Sequence, residues 1–318
     1  MAAPAPTRRS FLSRLGSLAF GGGLLWLGWR YVRWPEPDVA FDGGGVSSGP
    51  LPFARPGDRL LLVDGMVRGR PTPMLIDSGA QYTVIDRAFA DRIGLEAALA
   101  PPVLAYGLTG GPSLGRAASL DAEVGPMRLT GLRAAVLDLS DVTALGGRSF
   151  PVILGRDVLG GLVVDLDFPR RRIAFHRPDA FAWPQGATAV PVRTGPAGLF
   201  APLTVEGYGP IEALIDTGAS TEVALAQEVA RAAGLLDGRR TRTAPSVSLG
   251  GVSLDRLVTA ERVGFAGRAF EAVTVQIYVP PELPGVPRAL IGVGLLEDWR
   301  VILDVGGERM ALVAARRG

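Results

Sequence analysis

The chain has 318 residues, 47% hydrophobic and 20% charged, which is enough apolar material for two ordinary domains and excludes disorder by composition. It has no Cys and one His, His176, so disulfides, thiol nucleophiles and Cys/His zinc sites are excluded, and a Ser-His-Asp triad would have to use His176. The net charge of +2 comes from five arginines in residues 1–34, a stretch without an acid. The remainder sums to −3 with its signs mixed, and no basic stripe points to nucleic acid as a partner.

Residues 7–12 read Thr-Arg-Arg-Ser-Phe-Leu and precede an apolar run from Leu15 to Trp29. The run is at the upper end for a signal peptide and short for a membrane span of about 20 residues. The motif resembles the twin-arginine export signal, which a translocase reads as an address. That resemblance implies a periplasmic protein, or one anchored to the inner membrane and facing the periplasm. Val46-Ser47-Ser48 is a weak cleavage candidate, and retention of residues 1–34 as an anchor stays open. Residues 35–57, rich in Pro, Gly and Ser, read as a linker.

From residue 58 onward one pattern is written twice. Met74-Leu75-Ile76-Asp77-Ser78-Gly79-Ala80 returns as Ala213-Leu214-Ile215-Asp216-Thr217-Gly218-Ala219, an offset of 139 residues. Gly94-Leu95 returns as Gly234-Leu235, Ile153-Leu154-Gly155 as Leu290-Ile291-Gly292, and Val163-Val164-Asp165 as Ile302-Leu303-Asp304. Landmarks in the same order and at near-constant spacing mark a duplication into two domains, 58–182 and 188–318, joined at Trp183–Ala187. A period this long excludes a solenoid, whose repeats run to about 50 residues.

Each copy predicts short strands (Arg59–Val63 and Pro73–Ile76; Phe200–Val205 and Ile211–Ile215) that run into the Asp-[Ser/Thr]-Gly. A short helix follows, over Arg87–Ile93 or Ala226–Ala233, closed by Gly94 or Gly234. More strands, an apolar run into Gly155 or Gly292, and a last hairpin complete the copy. With Gly 43 and Pro 26, the composition fits many short strands and turns.

An Asp-[Ser/Thr]-Gly delivered by an apolar strand, with an apolar-apolar-Gly run some 75 residues later, resembles the aspartic protease superfamily over about residues 58–315. The resemblance implies a mainly β fold of two tandem retropepsin-like closed barrels that form one bilobal molecule. It implies an aspartic endopeptidase that needs no cofactor or metal, acts as a monomer and takes polypeptide substrates. Asp77 and Asp216 would be the catalytic pair, sharing one proton because like charges in contact cannot both ionise easily. Ser78 and Thr217 would hydrogen-bond across the lobes, and Gly79 and Gly218 would offer backbone N–H groups to the carboxylates. A catalytically silent peptide-binding module of the same fold is the alternative.

Family flaps are Gly-rich hairpins that close over substrate. Tyr106, Gly107, Gly110 and Gly111 stand at that place in the first copy, and Gly250 and Gly251 in the second. An ordinary hairpin with an exposed aromatic is the competing reading. The absence of an aromatic from the second hairpin leaves its role open. Asp157, opposite Gly294, reads as a structural hydrogen-bonding residue, and His176 as a surface or edge histidine. Asp165 and Asp304 have no further ligands that would make them a metal pair.

Overall fold

The computed structural model describes residues 34–54, 60–96, 103–108, 112–142, 150–249 and 251–314. The twin-arginine motif and the apolar run behind it lie outside the described residues, as do Gly110, Gly111 and Gly250. Among the described residues no helix is long and apolar enough to cross a membrane.

The first half contributes β1 (Asp38–Phe41), β2 (Leu51–Pro52), β3 (Leu62–Val67), β4 (Arg70–Ile76) and β5 (Val84–Asp86), then α1 (Arg87–Arg92). It continues with β6 (Val103–Tyr106), β7 (Pro112–Val124), β8 (Met127–Leu137), β9 (Val152–Leu154), α2 (Arg156–Leu159), β10 (Val163–Asp167) and β11 (Arg172–His176). The second half contributes β12 (Thr188–Val190), β13 (Arg193–Gly195), β14 (Gly198–Val205), β15 (Tyr208–Asp216), β16 (Val223–Ala226) and α3 (Gln227–Ala232). After these come β17 (Thr241–Ser248), β18 (Gly251–Phe265), β19 (Arg268–Tyr278), β20 (Ala289–Gly292), α4 (Val293–Leu296), β21 (Trp299–Asp304) and β22 (Arg309–Ala314).

The fold is mainly β. In the first lobe β8-β5-β9-β4-β3-β7 are hydrogen-bonded in that order, and β7 pairs back onto β8 to close a ring. In the second lobe β14-β15-β20-β16-β19-β18 do the same, closed by β14 on β18. Closure leaves no edge within either ring. Alternation along the strands fills the rings: in β15, Ile211, Ala213 and Ile215 point into the main apolar core. The short helices start where expected. Asp86 caps α1 by accepting from the Phe89 amide at 3.0 Å, whereas Ala226 at the start of α3 has no side-chain cap.

A third sheet, ordered β12-β22-β21-β10-β11-β2, belongs to both halves. The two terminal hairpins meet along β10 and β21, antiparallel, with Asp165 opposite Ile302. One core cluster runs through both halves.

Within the stretch expected as a linker, residues 38–41 and 51–53 are part of this body. β1 pairs with β8, β2 pairs with β11, and Phe41 and Phe53 are buried. Glycine and proline between these short strands concealed the apolar residues at 39, 41, 51 and 53 that dock them. Residues 183–187 lie outside helices and strands, with a turn at Gln185-Gly186.

Candidate active site

In each lobe the Asp-[Ser/Thr]-Gly loop sits at the C-terminal end of a strand that runs parallel to the apolar-apolar-Gly strand. In the first, Leu75 pairs with Ile153 and Ile76 with Leu154, and the Asp77 amide donates to Leu154 O at 3.0 Å. In the second, Leu214 pairs with Leu290, Ile215 with Ile291 and Asp216 with Gly292. The parallel pair buries both strands and leaves the loop that follows each one free to meet its counterpart.

The two loops clasp each other with four reciprocal bonds. The Ser78 amide donates to Thr217 Oγ1 at 2.9 Å and the Thr217 amide donates to Ser78 Oγ at 3.1 Å. Each hydroxyl passes its proton across the lobe boundary, Ser78 Oγ to Ile215 O and Thr217 Oγ1 to Ile76 O, both at 2.8 Å. Ser78 and Thr217 are buried, so every bond satisfies a polar group that has no water to turn to.

Glycine at 79 and 218 is a steric requirement. A Cβ on Gly79 would stand 2.8 Å from the Asp216 carboxyl carbon, and one on Gly218 would collide with the Asp77 carboxyl. Each carboxylate is thus pressed against the other lobe's glycine backbone while its own loop holds it by amides. Asp77 Oδ1 accepts from Gly79 N at 2.8 Å and Ala80 N at 2.9 Å, and Asp216 Oδ1 accepts from Gly218 N at 2.9 Å.

Burial raises the pKa of both carboxyls, and Asp216 goes furthest because the charge of Asp77 adds to burial. Asp77 is held back by the amides of Ala80 and Gly79, by its hydrogen bond with Asp216 and by the Arg156 guanidinium. The pair titrates as a unit, with both carboxyls raised above the ordinary value by burial.

Arg156 was not singled out in the sequence. It follows Gly155 directly, its amide donates to Ala80 O at 2.9 Å, and its Nη2 donates to Pro196 O of the second lobe at 3.0 Å. The signal was there in the duplication itself: the second copy has Val293 at that place. Asp157, read as structural, accepts from Thr83 N at 3.0 Å and Thr83 Oγ1 at 2.9 Å. Burial raises its pKa to about 6.

The hairpins meet each other. β6 and β7 form the first, with Tyr106 opposite Pro112, and β17 and β18 the second, with Ser248 opposite Gly251. Ser113 Oγ of the first donates to Leu249 O of the second at 2.6 Å. Leu108, just past Tyr106 and Gly107, packs on the second lobe against a cluster that includes Phe200, Leu214 and Leu290. Tyr106 is half-buried rather than exposed.

His176 lies in β11 of the shared sheet and not among the carboxylate loops. It is half-buried, its ring packs on Phe181, and its Nε2 is 3.9 Å from Asp165. Arg300 already holds that carboxylate at 2.7 and 2.5 Å. Burial lowers the His176 pKa.

The chain resembles, at 12% identity and a TM-score of 0.48, the crystal structure of basic 7S globulin from soybean, over 85% of this chain and 95% of that one. No curated protein matches. The aspartyl protease family model matches twice, over residues 63–158 and 201–295, once in each lobe and each time across an Asp-[Ser/Thr]-Gly. With both matches together spanning more than half of its length, the chain belongs to the aspartyl protease family.

Proposed function

We propose that this protein is an aspartic endopeptidase whose two half-sites lie in one chain. The observation that carries the reading is the reciprocal clasp of Ser78 and Thr217, which presses each Asp carboxyl against the opposite glycine. A water molecule between the carboxylates would lose a proton to the ionised member of the Asp77–Asp216 pair as it attacks the scissile carbonyl, and the protonated member would protonate the carbonyl oxygen. Collapse of the tetrahedral intermediate then breaks the C–N bond as the amine takes a proton from the pair. No cofactor enters these steps. The substrate is a polypeptide lying extended under the hairpins, whose strands offer it backbone hydrogen bonds.

The test is incubation of the purified protein with a mixed peptide library, with and without a statine-type inhibitor. Cleavage that the inhibitor stops supports the reading, and a protein that binds peptides without cutting them is the silent module instead. Since both lobes are supplied by one chain, activity per molecule should not fall on dilution.

We assign the site of action to the periplasm from Arg8-Arg9 and the apolar run that follows. Changing both arginines to Lys keeps the charge and removes the pattern read by the translocase. The variant should stay in the cytoplasm, and normal export of it would count against a twin-arginine route.

A further inference from the structure

Seven large apolar side chains stand exposed among the described residues, and four of them lie on the two hairpins. Leu104 and Leu114 are on the first, Val252 and Leu254 on the second. Leu114 is 65% exposed and Leu254 is 74% exposed, and the two are one position of the duplication. Ser113-Leu114-Gly115-Arg116 returns as Ser253-Leu254-Asp255-Arg256, an offset of 140 residues. A single exposed leucine is ordinary, whereas the same exposure in both copies, each time beside a second apolar residue, makes a patch.

Register puts the apolar residues of each hairpin on one face. Leu104 pairs with Leu114 and Tyr106 with Pro112. Val252 and Leu254 alternate with Ser253 and Asp255, and Leu254 pairs with Pro245. The opposite faces are turned to the lobes. A Cβ on Gly115 would collide with Val136 O, and Asp255 is buried, accepting from Gln276 Nε2 of β19 at 2.7 Å. The apolar faces therefore point away from the body, and the bond from Ser113 Oγ to Leu249 O holds the two hairpins together.

The exposed charge on these hairpins has one sign. Residues 103–106, 112–116, 241–248 and 251–256 include Arg116, Arg242 and Arg256 against one acid, the buried Asp255. Arg116 is paired with Asp91. Arg242 and Arg256 are exposed, and Arg87, exposed as well, donates from Nη2 to Leu114 O at 3.2 Å. Protein interfaces centre on large anchors that fill pockets, whereas these aliphatic side chains stand out from a ribbon. Aliphatic groups flanked by arginines match a layer that is anionic at its surface and apolar beneath it.

We infer that the outer faces of the two hairpins dock on an anionic lipid surface, with Leu114, Val252 and Leu254 entering the headgroup layer and Arg87, Arg242 and Arg256 pairing with lipid phosphates. None of these residues belongs to the carboxylate loops, so the inference stands whether or not the protein cuts peptides.

The chain has no Cys, so one introduced cysteine can carry a polarity-sensitive NBD label at a chosen place. Full-length Leu114→Cys, Leu254→Cys and Tyr208→Cys are labelled and mixed with vesicles of phosphatidylcholine, or of equal parts phosphatidylcholine and phosphatidylglycerol. Tyr208 is exposed beside the other end of β18 and serves as the control. Both hairpin labels should brighten and shift to the blue with the anionic vesicles and respond less to the neutral ones. The Tyr208 label should stay silent. Because the readout is local, attachment of the chain by its apolar N-terminal run would not imitate this pattern. Arg242→Gln and Arg256→Gln, read through the Leu114→Cys label, should each weaken binding about fivefold.

Silent hairpin labels, an equal response at Tyr208, a response indifferent to lipid charge, or one unmoved by loss of either arginine would overturn the inference. So would hairpin labels that respond to an unfolded polypeptide such as casein and not to vesicles, since the surface would then be one for docking protein.

Discussion

The two lobes agree closely at their contact and differ just behind it. At the contact, Asp77-Ser78-Gly79 and Asp216-Thr217-Gly218 make the same bonds to each other with the same polarity. Behind it, the first lobe steadies its loop with Asp157 on Thr83 and places Arg156 beside the carboxylate. The second has Gly294 and Val293 there, and uses Glu222, whose carboxylate accepts from Thr274 N at 2.5 Å. The first helix has an Asp cap and the second an Ala. A polar group that only needs a partner can be satisfied by several side chains, so props diverge between copies. A clasp whose partner is the other copy cannot change alone without orphaning the group opposite, which explains why Ser and Thr both keep a hydroxyl there.

The comparison is broken first at the carboxylates. Asp77→Asn and Asp216→Asn should each cut peptide hydrolysis by about 10²–10⁴-fold or more, with an unchanged melting profile, because one group must be base and the other acid. Near-normal turnover in either variant would show that the lobes are not equal partners in the chemistry.

Next comes the clasp. Ser78→Ala and Thr217→Ala each remove a bond given and a bond received and leave a buried amide unpaired, at a cost of about 3 kcal/mol. Urea unfolding should show losses of similar size for the two. A clear inequality would mean that the props behind the contact, and not the clasp, carry the stability.

The props themselves are sharpened by Asp157→Asn. The Asn carbonyl can still accept from Thr83 N and its amide can donate to Thr83 Oγ1, so geometry is kept. Asp157 has a folded pKa of about 6, above the ordinary carboxylate value of 3.8. Its stabilising contribution is therefore intact below about pH 4 and lost as pH rises through about 6. The wild type should lose about 3 kcal/mol relative to Asp157→Asn across that window. Parallel stability curves for the two proteins from pH 4 to 7 would refute this.

The smallest effect concerns Ala80 and Ala219, which follow each Asp-[Ser/Thr]-Gly and offer the carboxylates only backbone amides. Both dyad carboxyls titrate above the ordinary value, so the range in which they share one proton should lie from mildly acidic to neutral pH. A hydroxyl in Ala80→Thr or Ala219→Thr would favour the ionised form and lower these values. The pH–rate profile should shift to lower pH by a fraction of a unit to about one unit. A wild-type optimum at strongly acidic pH would remove the basis of the argument.

The duplication was legible because strand, loop and glycine recur with fixed spacing, and that located the carboxylates, hydroxyls and glycines that the structure brings together. The shared sheet was not legible. Nothing in the alternation of β10 or β21 says whether the neighbour belongs to the same copy or the other one, since backbone pairing carries no sequence label. The strands at 38–41 and 51–52 were hidden because elements of four and two residues are too short to show a period. Arg156 was not legible because a repeat marks what the two copies share, and Arg156 stands where the second copy has Val293. Leu108 escaped because an isolated leucine in a hairpin gives no hint of the surface it will reach.

The shared sheet also sets an order of events during synthesis. β10 is complete once residue 167 has been made, yet its partner β21 ends at Asp304 and the outer strand β22 at Ala314. For the whole time that the second lobe is emerging from the ribosome, one side of β10 presents unpaired backbone groups flanked by Val163, Val164 and Leu166. Such an edge invites pairing with the wrong chain. That side of β10 gains its native neighbour only with β21, near the end of the described residues.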